Sequence, residues 1–337
     1  MSNNNQVSQI NEAISQLLAK LKEDELRSNL EGKAEKLHQL GILTANLGKF
    51  DEAIAFYSQC QEVYQSLHDL EGVATILYQI AVIKTNQGEV KAAIPLFEEA
   101  LKIAESINDL ATQAESFYSL GMIKASQGRV TDAIDFCQKS LTIKEHLGDW
   151  EGKSKILQQL AIIKANNGEL LPAIQLLKQC LSIKENCDDL SGQANILHYL
   201  GVIYAQLHDA EAAILSYQES LEIKEQIGDI QGKAATLHQL GDLYKNLDKL
   251  EEAIEFYRQS VQLKERGNDR ESQAATMGML GQLLVKKGDF KLALAYLNKA
   301  LEIFEKMRSP NAKTVKEIIS EVRHLQQAEM RQKRKQH

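Results

Sequence analysis

Proline is almost missing, with three residues in a chain of 337. In a helix interior proline removes a backbone donor and collides with the preceding turn. Its scarcity therefore permits long helices nearly everywhere. Aromatic residues make up 6% and include one tryptophan, so the core must rest on aliphatic and small side chains. The four cysteines show neither metal-ligand spacing nor a disulfide framework, which points to a reducing compartment and so to the cytoplasm. No apolar run approaches the roughly 18 residues of a membrane-crossing helix. The opening MSNNNQVSQI has no apolar signal-peptide core. A net charge of −7 argues against nucleic acid as the main partner.

What is present is a repeat of 40 residues without register drift. Gly41, Ala81, Gly121, Ala161, Gly201, Gly241 and Gly281 form one column, each preceded by Leu or Ile. A second column is Ala throughout, from Ala53 to Ala293. A third holds only small side chains: Cys60, Ala100, Ser140, Cys180, Ser220, Ser260 and Ala300. Small residues at fixed helical positions let neighbouring helices approach closely. Length alone would suggest two or three ordinary domains, but a repeat array grows its core along one axis.

Each unit reads as two helices, helix A over about 30–47 and helix B over about 51–67, with their copies. The A-to-B turn carries Gly48, Gly88, Gly128, Gly168 and Gly288, with His208 and Asp248 in the other units. The B-to-A junction places Asp69, Asp109, Asp149, Asp189, Asp229 and Asp269 where each can cap the next helix A. The residues before them, His68, Asn108, Gly148, Asp188, Gly228 and Asn268, tolerate the positive φ of a helix end. Lys144, Lys184, Lys224 and Lys264 stand near the ends of their B helices. They are expected to be solvated charges complementing the helix dipole. Trp150 is expected to pack between units.

The Leu-Gly pair, the Ala twelve residues later and the small residue seven beyond it resemble the tetratricopeptide repeat. The usual repeat has about 34 residues. The 40-residue form with its Gly-Asp junction looks like the repeats of kinesin light chain and of Pins-type spindle adaptors. The resemblance implies an all-α fold, a right-handed α-solenoid of seven helix-turn-helix units over residues 30–309, with helices A on the concave side. Residues 1–29 would form an N-terminal capping helix, since Glu12-Ala13-Ile14 matches Glu52-Ala53-Ile54. Residues 310–337 would form a closing helix with Val315, Ile318, Ile319, Val322 and Leu325 on one face, then a basic tail with Arg331, Lys333, Arg334 and Lys335.

The face of helix A opposite its packing positions is centred on the columns of residues 38, 42, 45 and 49. The last is charged or polar, from Lys49 to Asp289. The column of Ile42 is not: it continues Val82, Met122, Ile162 and Val202 before turning to Asp242 and Gln282. Beside it stand His38, Tyr78, Tyr118, His198 and His238, with amides at Asn46, Asn86 and Asn166. An apolar floor with a polar rim has the composition of a recognition groove. It would bind an apolar or amphipathic peptide or helix of a protein partner. The competing reading is that neighbouring A helices bury these residues against one another. Pins-type relatives place Asn in the Ile42 column and chaperone-tail binders a Lys in the His38 column. Neither is present, so neither ligand is implied.

No nucleophile elbow, phosphate loop or metal-helix spacing occurs, and the three column histidines are too far apart to share one metal. The expectation is a non-enzymatic scaffold or adaptor without cofactor or metal, monomeric unless the final helix exchanges between chains. Alternatives are a regulatory or peptide-sensing partner of a separately encoded enzyme, and an RNA-binding solenoid. The last would need a basic groove and base-reading side chains.

Overall fold

The computed structural model describes residues 2–266 and 269–336, with side chains over 7–265 and 269–331. Asn268 and the tail beyond Arg331 thus fall outside the described side chains. Among the described residues there are sixteen helices and no strand. They fall into two compact units, Met1–Asn167 and Gly168–His337.

The first unit holds α1 (Ser2–Leu26), α2 (Leu30–Asn46), α3 (Phe50–Ser66), α4 (Leu70–Asn86), α5 (Val90–Ile107), α6 (Leu110–Ser126), α7 (Val130–His146) and α8 (Trp150–Asn166). Even-numbered helices are A helices and odd-numbered ones B helices. In this unit α2 packs on α3, α4 on α5 and α6 on α7. Each B helix also packs on the next A helix, and α1 covers α2 in the same way. Among A helices, α4 also meets α6 directly.

The second unit holds α9 (Leu170–Asn186), α10 (Leu190–Gln206), α11 (Ala210–Gln226), α12 (Ile230–Asn246), α13 (Leu250–Arg266), α14 (Arg270–Lys287), α15 (Phe290–Lys306) and α16 (Asn311–Gln336). It repeats the plan, with α10 meeting α12. Val315, Ile319 and Val322 of α16 join the core around Leu297, Ala300 and Phe304. Its other face, with Glu317, Ser320, Glu321 and His324, is exposed.

The columns explain the packing. Leu37 and Leu40 are fully buried, and burial of such side chains contributes about 1.5–3 kcal/mol each. The glycine column makes room for a ring, because Tyr217 and Tyr257 lie against Gly201 and Gly241. The small-residue column does more than leave space. Ser140, Ser220 and Ser260 each donate a 2.7 Å hydrogen bond to the carbonyl of Ala114, Ala194 or Ala234 on the preceding A helix. Cys60 reaches the Ala34 carbonyl at 3.2 Å. Cys60, Cys137 and Cys180 are buried and Cys187 is exposed.

The junctions follow the sequence. Asp69, Asp109, Asp149, Asp189, Asp229 and Asp269 all accept hydrogen bonds from backbone N–H groups in the first turn of the next helix. His68, Asn108 and Asp188 take positive φ, as do His208 and Asp248 in the A-to-B turns. Two expectations fail. Trp150 is 55% exposed, with Lys153 5.3 Å above its ring, because the first residue of helix A projects past the junction. Lys224 and Lys144 are 2% and 8% exposed, so they are not solvated helix-end charges. The start of the next A helix folds over their aliphatic stems.

Candidate functional site

The A-helix face of the first unit carries a depression of about 360 Å³ between α4 and α6. Its lining includes Tyr78, Val82 and Asn86 from α4 and Tyr118 and Met122 from α6. All five belong to the groove columns read from the sequence. They come together because residues 40 apart occupy the same position on successive A helices. Phe97 of α5 supports the floor, its ring 5.6 Å from that of Tyr78.

The rim is polar. Thr85, Ser119 and Ser126 line it, and so does Lys155 of α8, whose ammonium lies 4.7 Å from the Tyr118 ring centroid. That distance is within cation–π range. Burial pushes the Tyr118 hydroxyl up to about 12, so at neutral pH it is a neutral donor. The Tyr78 hydroxyl lies 3.5 Å from Glu115, a carboxylate already held by Lys144 at 2.6 Å. Lys155 is therefore the cation the depression offers to a ligand. Neither Lys155 nor the serines stood out in the sequence. The signal was the column of Glu35, in which Lys155 reverses the charge of Glu115.

The remaining groove residues are placed differently. Ile42 is 40% exposed and Ile162 half-buried, while Asn46 and Asn166 are exposed. In the second unit Val202 is half-buried against the cluster of Ala213 and Tyr217. His198 and His238 are occupied within the protein, whereas the buried His38 Nε2 has no hydrogen-bond partner among the described residues. His38 lies 5.9 Å from Tyr57, ring to ring. His198 Nδ1 is 2.9 Å from Thr236 Oγ1, and His238 Nδ1 is 3.1 Å from Thr276 Oγ1. Each threonine also accepts from a lysine, Lys224 or Lys264, at 2.9 Å. Successive A helices, α10 to α12 and α12 to α14, are thus each stitched by a His–Thr–Lys chain. Burial, with Lys224 nearby, pushes His198 down to about 4. Asp242, which interrupts the apolar column, accepts 2.7 Å bonds from Tyr257 and Lys245. Although burial opposes its charge, those bonds hold its carboxyl below the usual range.

A second depression, of about 520 Å³, lies among α13, α14 and α15. It mixes Glu265 and Glu302 with Arg270, Lys299 and Lys306, and Glu302 and Lys306 pair with each other. Among the described residues, no group of three or more His, Cys, Asp or Glu side chains could hold a metal ion. No helix there is long and apolar enough to cross a membrane.

Paired helices in register, with a repeated Ala and a small residue facing the partner helix, are what family models recognise. Tetratricopeptide repeat models match residues 33–106, 112–186, 194–227 and 232–306. The chain belongs to the tetratricopeptide repeat family. No curated protein matches it significantly in sequence. Among solved structures, this tetratricopeptide chain is similar to the apo form of RapI, at 13% identity and a TM-score of 0.62. That match covers 82% of this chain and 99% of RapI. It is also similar to the Rap conjugation gene regulator of the plasmid pLS20 in complex with the Phr* peptide, at 19% identity and a TM-score of 0.50. There 83% of this chain and 76% of that one are covered. A putative kinesin light chain from Podosopora anserina matches at 19% identity and a TM-score of 0.50, over 58% of this chain and 96% of that one. Identities this low carry the fold alone.

Proposed function

We propose that this tetratricopeptide protein is a non-enzymatic adaptor that captures an apolar or amphipathic segment of a protein partner on its A-helix face. The α4–α6 depression would take the anchoring side chain. The observation that carries this reading is the joint lining by Tyr78, Val82, Tyr118 and Met122 with a polar rim. Apolar side chains left open to solvent beside hydrogen-bonding groups suit a partner's anchor residue. Asn86 and Ser119 suit its backbone. The columns of Ile42 and Ile162 would extend the contact. A reducing compartment fits a sequence whose cysteines lack metal-ligand spacing.

A second reading is a peptide-sensing regulator acting on a separately encoded enzyme. It is favoured by likeness to a Rap regulator whose structure contains the Phr* peptide. Both readings require a peptide at the same face and part only over what happens next.

Selection of a displayed peptide library against the full chain tests the shared step. Enriched peptides should carry a bulky apolar residue. They should lose at least about tenfold in affinity, roughly 1.4 kcal/mol, when Val82, Met122 and Ile162 are replaced by Asp. Peptides that bind this variant as tightly as the parent, with helical content intact, would refute the groove.

A further inference from the structure

Two of the lysines that end the B helices, Lys144 and Lys184, meet carboxylates. Lys144 meets two. Its Nζ lies 2.6 Å from Glu115 Oε1 and 2.8 Å from Asp149 Oδ2. Lys184 keeps the second contact, 2.7 Å from Asp189. Burial opposes the charge of Lys144, but the hydrogen bonds it donates to Asp149 and Glu115 outweigh it and raise its proton affinity.

Lys264 occupies the same position in a later repeat, and the residue that matches Glu115 there is Ala235. Where the carboxylate would lie there is a cavity of about 80 Å³, lined by Lys264, Ala235, Ser272 and Asp269 together with Gln231, Ala234 and Leu263. The Lys264 ammonium turns instead to neutral oxygens, Ser272 Oγ at 2.6 Å, Thr276 Oγ1 at 2.9 Å and, more distantly, the Ser272 carbonyl at 3.4 Å. Asp269 stands on the cavity wall, but its Oδ1 accepts the Ser272 N–H. The other charged or titratable groups facing this lysine are Asp242 and His238. Burial here prevails over Asp269 and Asp242, and Lys264 is shifted downward, opposite to Lys144. A partly buried cation bonded to neutral oxygens still lacks charge compensation.

We propose that the cavity beside Lys264 is a carboxylate-binding site, filled from outside by the group that Glu115 supplies to Lys144 from within. One ligand oxygen would accept from Lys264 Nζ in place of the long contact to the Ser272 carbonyl, and the other from the Ser272 hydroxyl. A water needs about 10–15 Å³ of such space, so the cavity has room for a carboxylate with accompanying water. Ala235 is exposed, which leaves the site open to solvent. Asp269 on the wall repels any anion, and a phosphate dianion about twice as strongly as a monoanion, so the singly charged carboxylate suits the site better. The site lies in the second unit and does not depend on the groove of the first. Its carboxylate could be the side chain of an acidic residue in a bound protein or a free small acid.

The test follows the Lys264 side-chain signal in the ¹³C-lysine-labelled full chain, assigned with Lys264→Arg. Sodium acetate is titrated against sodium chloride at constant ionic strength. A second arm uses the blocked peptide acetyl-Leu-Glu-Leu-amide and its Gln counterpart. Acetate should shift the signal saturably and chloride should not. Ala235→Glu should move the signal without ligand and weaken acetate binding more than about tenfold, whereas Ala235→Gln should fill space without reproducing the charged-state shift. Response to acetate and the Glu peptide supports an acidic protein side chain as the natural ligand, and response to acetate alone supports a small acid. Equal response to chloride and acetate, no saturable response to acetate or the Glu peptide, or acetate binding unchanged in Ala235→Glu, would overturn the proposal.

Discussion

The ring of Tyr217 rests on Gly201 so closely that a Cβ there would lie 2.5 Å from the ring carbon Cε1. Helix propensity alone favours alanine over glycine in a helix by about 1 kcal/mol, but forcing a methyl group into a filled contact costs about 1–3 kcal/mol. Overpacking should win, so Gly201→Ala lowers the urea midpoint. A higher midpoint would mean that the two helices part without penalty. Ala81 faces Phe97 within a core of its own, so Ala81→Gly should lose helix propensity and a buried methyl group together, about 1–2 kcal/mol.

Lys224 is a buried cation that donates a hydrogen bond to the Thr236 hydroxyl. Burial lowers its proton affinity, with Asp229 opposing. For a base whose folded value is depressed, the unfolded chain binds more protons between the folded and unfolded values. Stability should therefore rise with pH across that window on the alkaline side. Lys224→Met should raise stability at neutral pH by about 1 kcal/mol or more and remove that rise. Urea denaturation at pH 7 and pH 10 reads both effects.

His198 gives the acid counterpart. With its folded value near 4 and an ordinary one near 6.5, the unfolded chain takes up the proton first. Stability should fall as pH drops from about 6.5 towards 4, and His198→Gln should flatten that fall. Imidazole resonances recorded by NMR should show His198 still neutral at pH 5. Titration near 6.5 would place its ring in water.

Asp149 caps α8 through the Gly152 N–H and holds Lys144. Lys144 and then the Gly152 N–H keep its carboxyl below the usual range. A depressed acid contributes stability above its unfolded value and loses it as pH falls through the folded value. Asp149→Asn preserves the cap but not the charge, so it should cost stability at pH 7 and little at pH 2. Asp149→Ala should cost about 1 kcal/mol more by losing the cap. Circular dichroism melts at the two pH values separate these contributions.

The fold could be read from the sequence because every junction repeats its own chemistry. Asp69 and its copies, with His68, Asn108 and Asp188 before them, announce both the helix end and the next start. The depression was half legible, since Tyr78, Val82, Tyr118 and Met122 follow from periodicity. Lys155 was hidden because a single lysine on a helix reads as solvent-facing. Lys144 and Lys224 misled for a related reason. The depth of a helix-end lysine depends on the next A helix, where Glu115 or Thr236 receives it, and no local pattern announces that partner. Trp150 erred the other way: its size suggested burial at a position that projects.

The helix α16 sets one apolar edge, Val315, Ile319 and Val322, on the last helix pair and turns glutamates outward. A repeat whose successive units are built to accept one another is by construction adhesive at any end left bare. Without α16, the surface around Leu297, Ala300 and Phe304 would be exposed to a second molecule bearing the same pattern. Copies could then stack head to tail with no symmetry to stop them. In that sense α16 occupies the edge on which a further copy could stack, and turns a mixed-charge face outward.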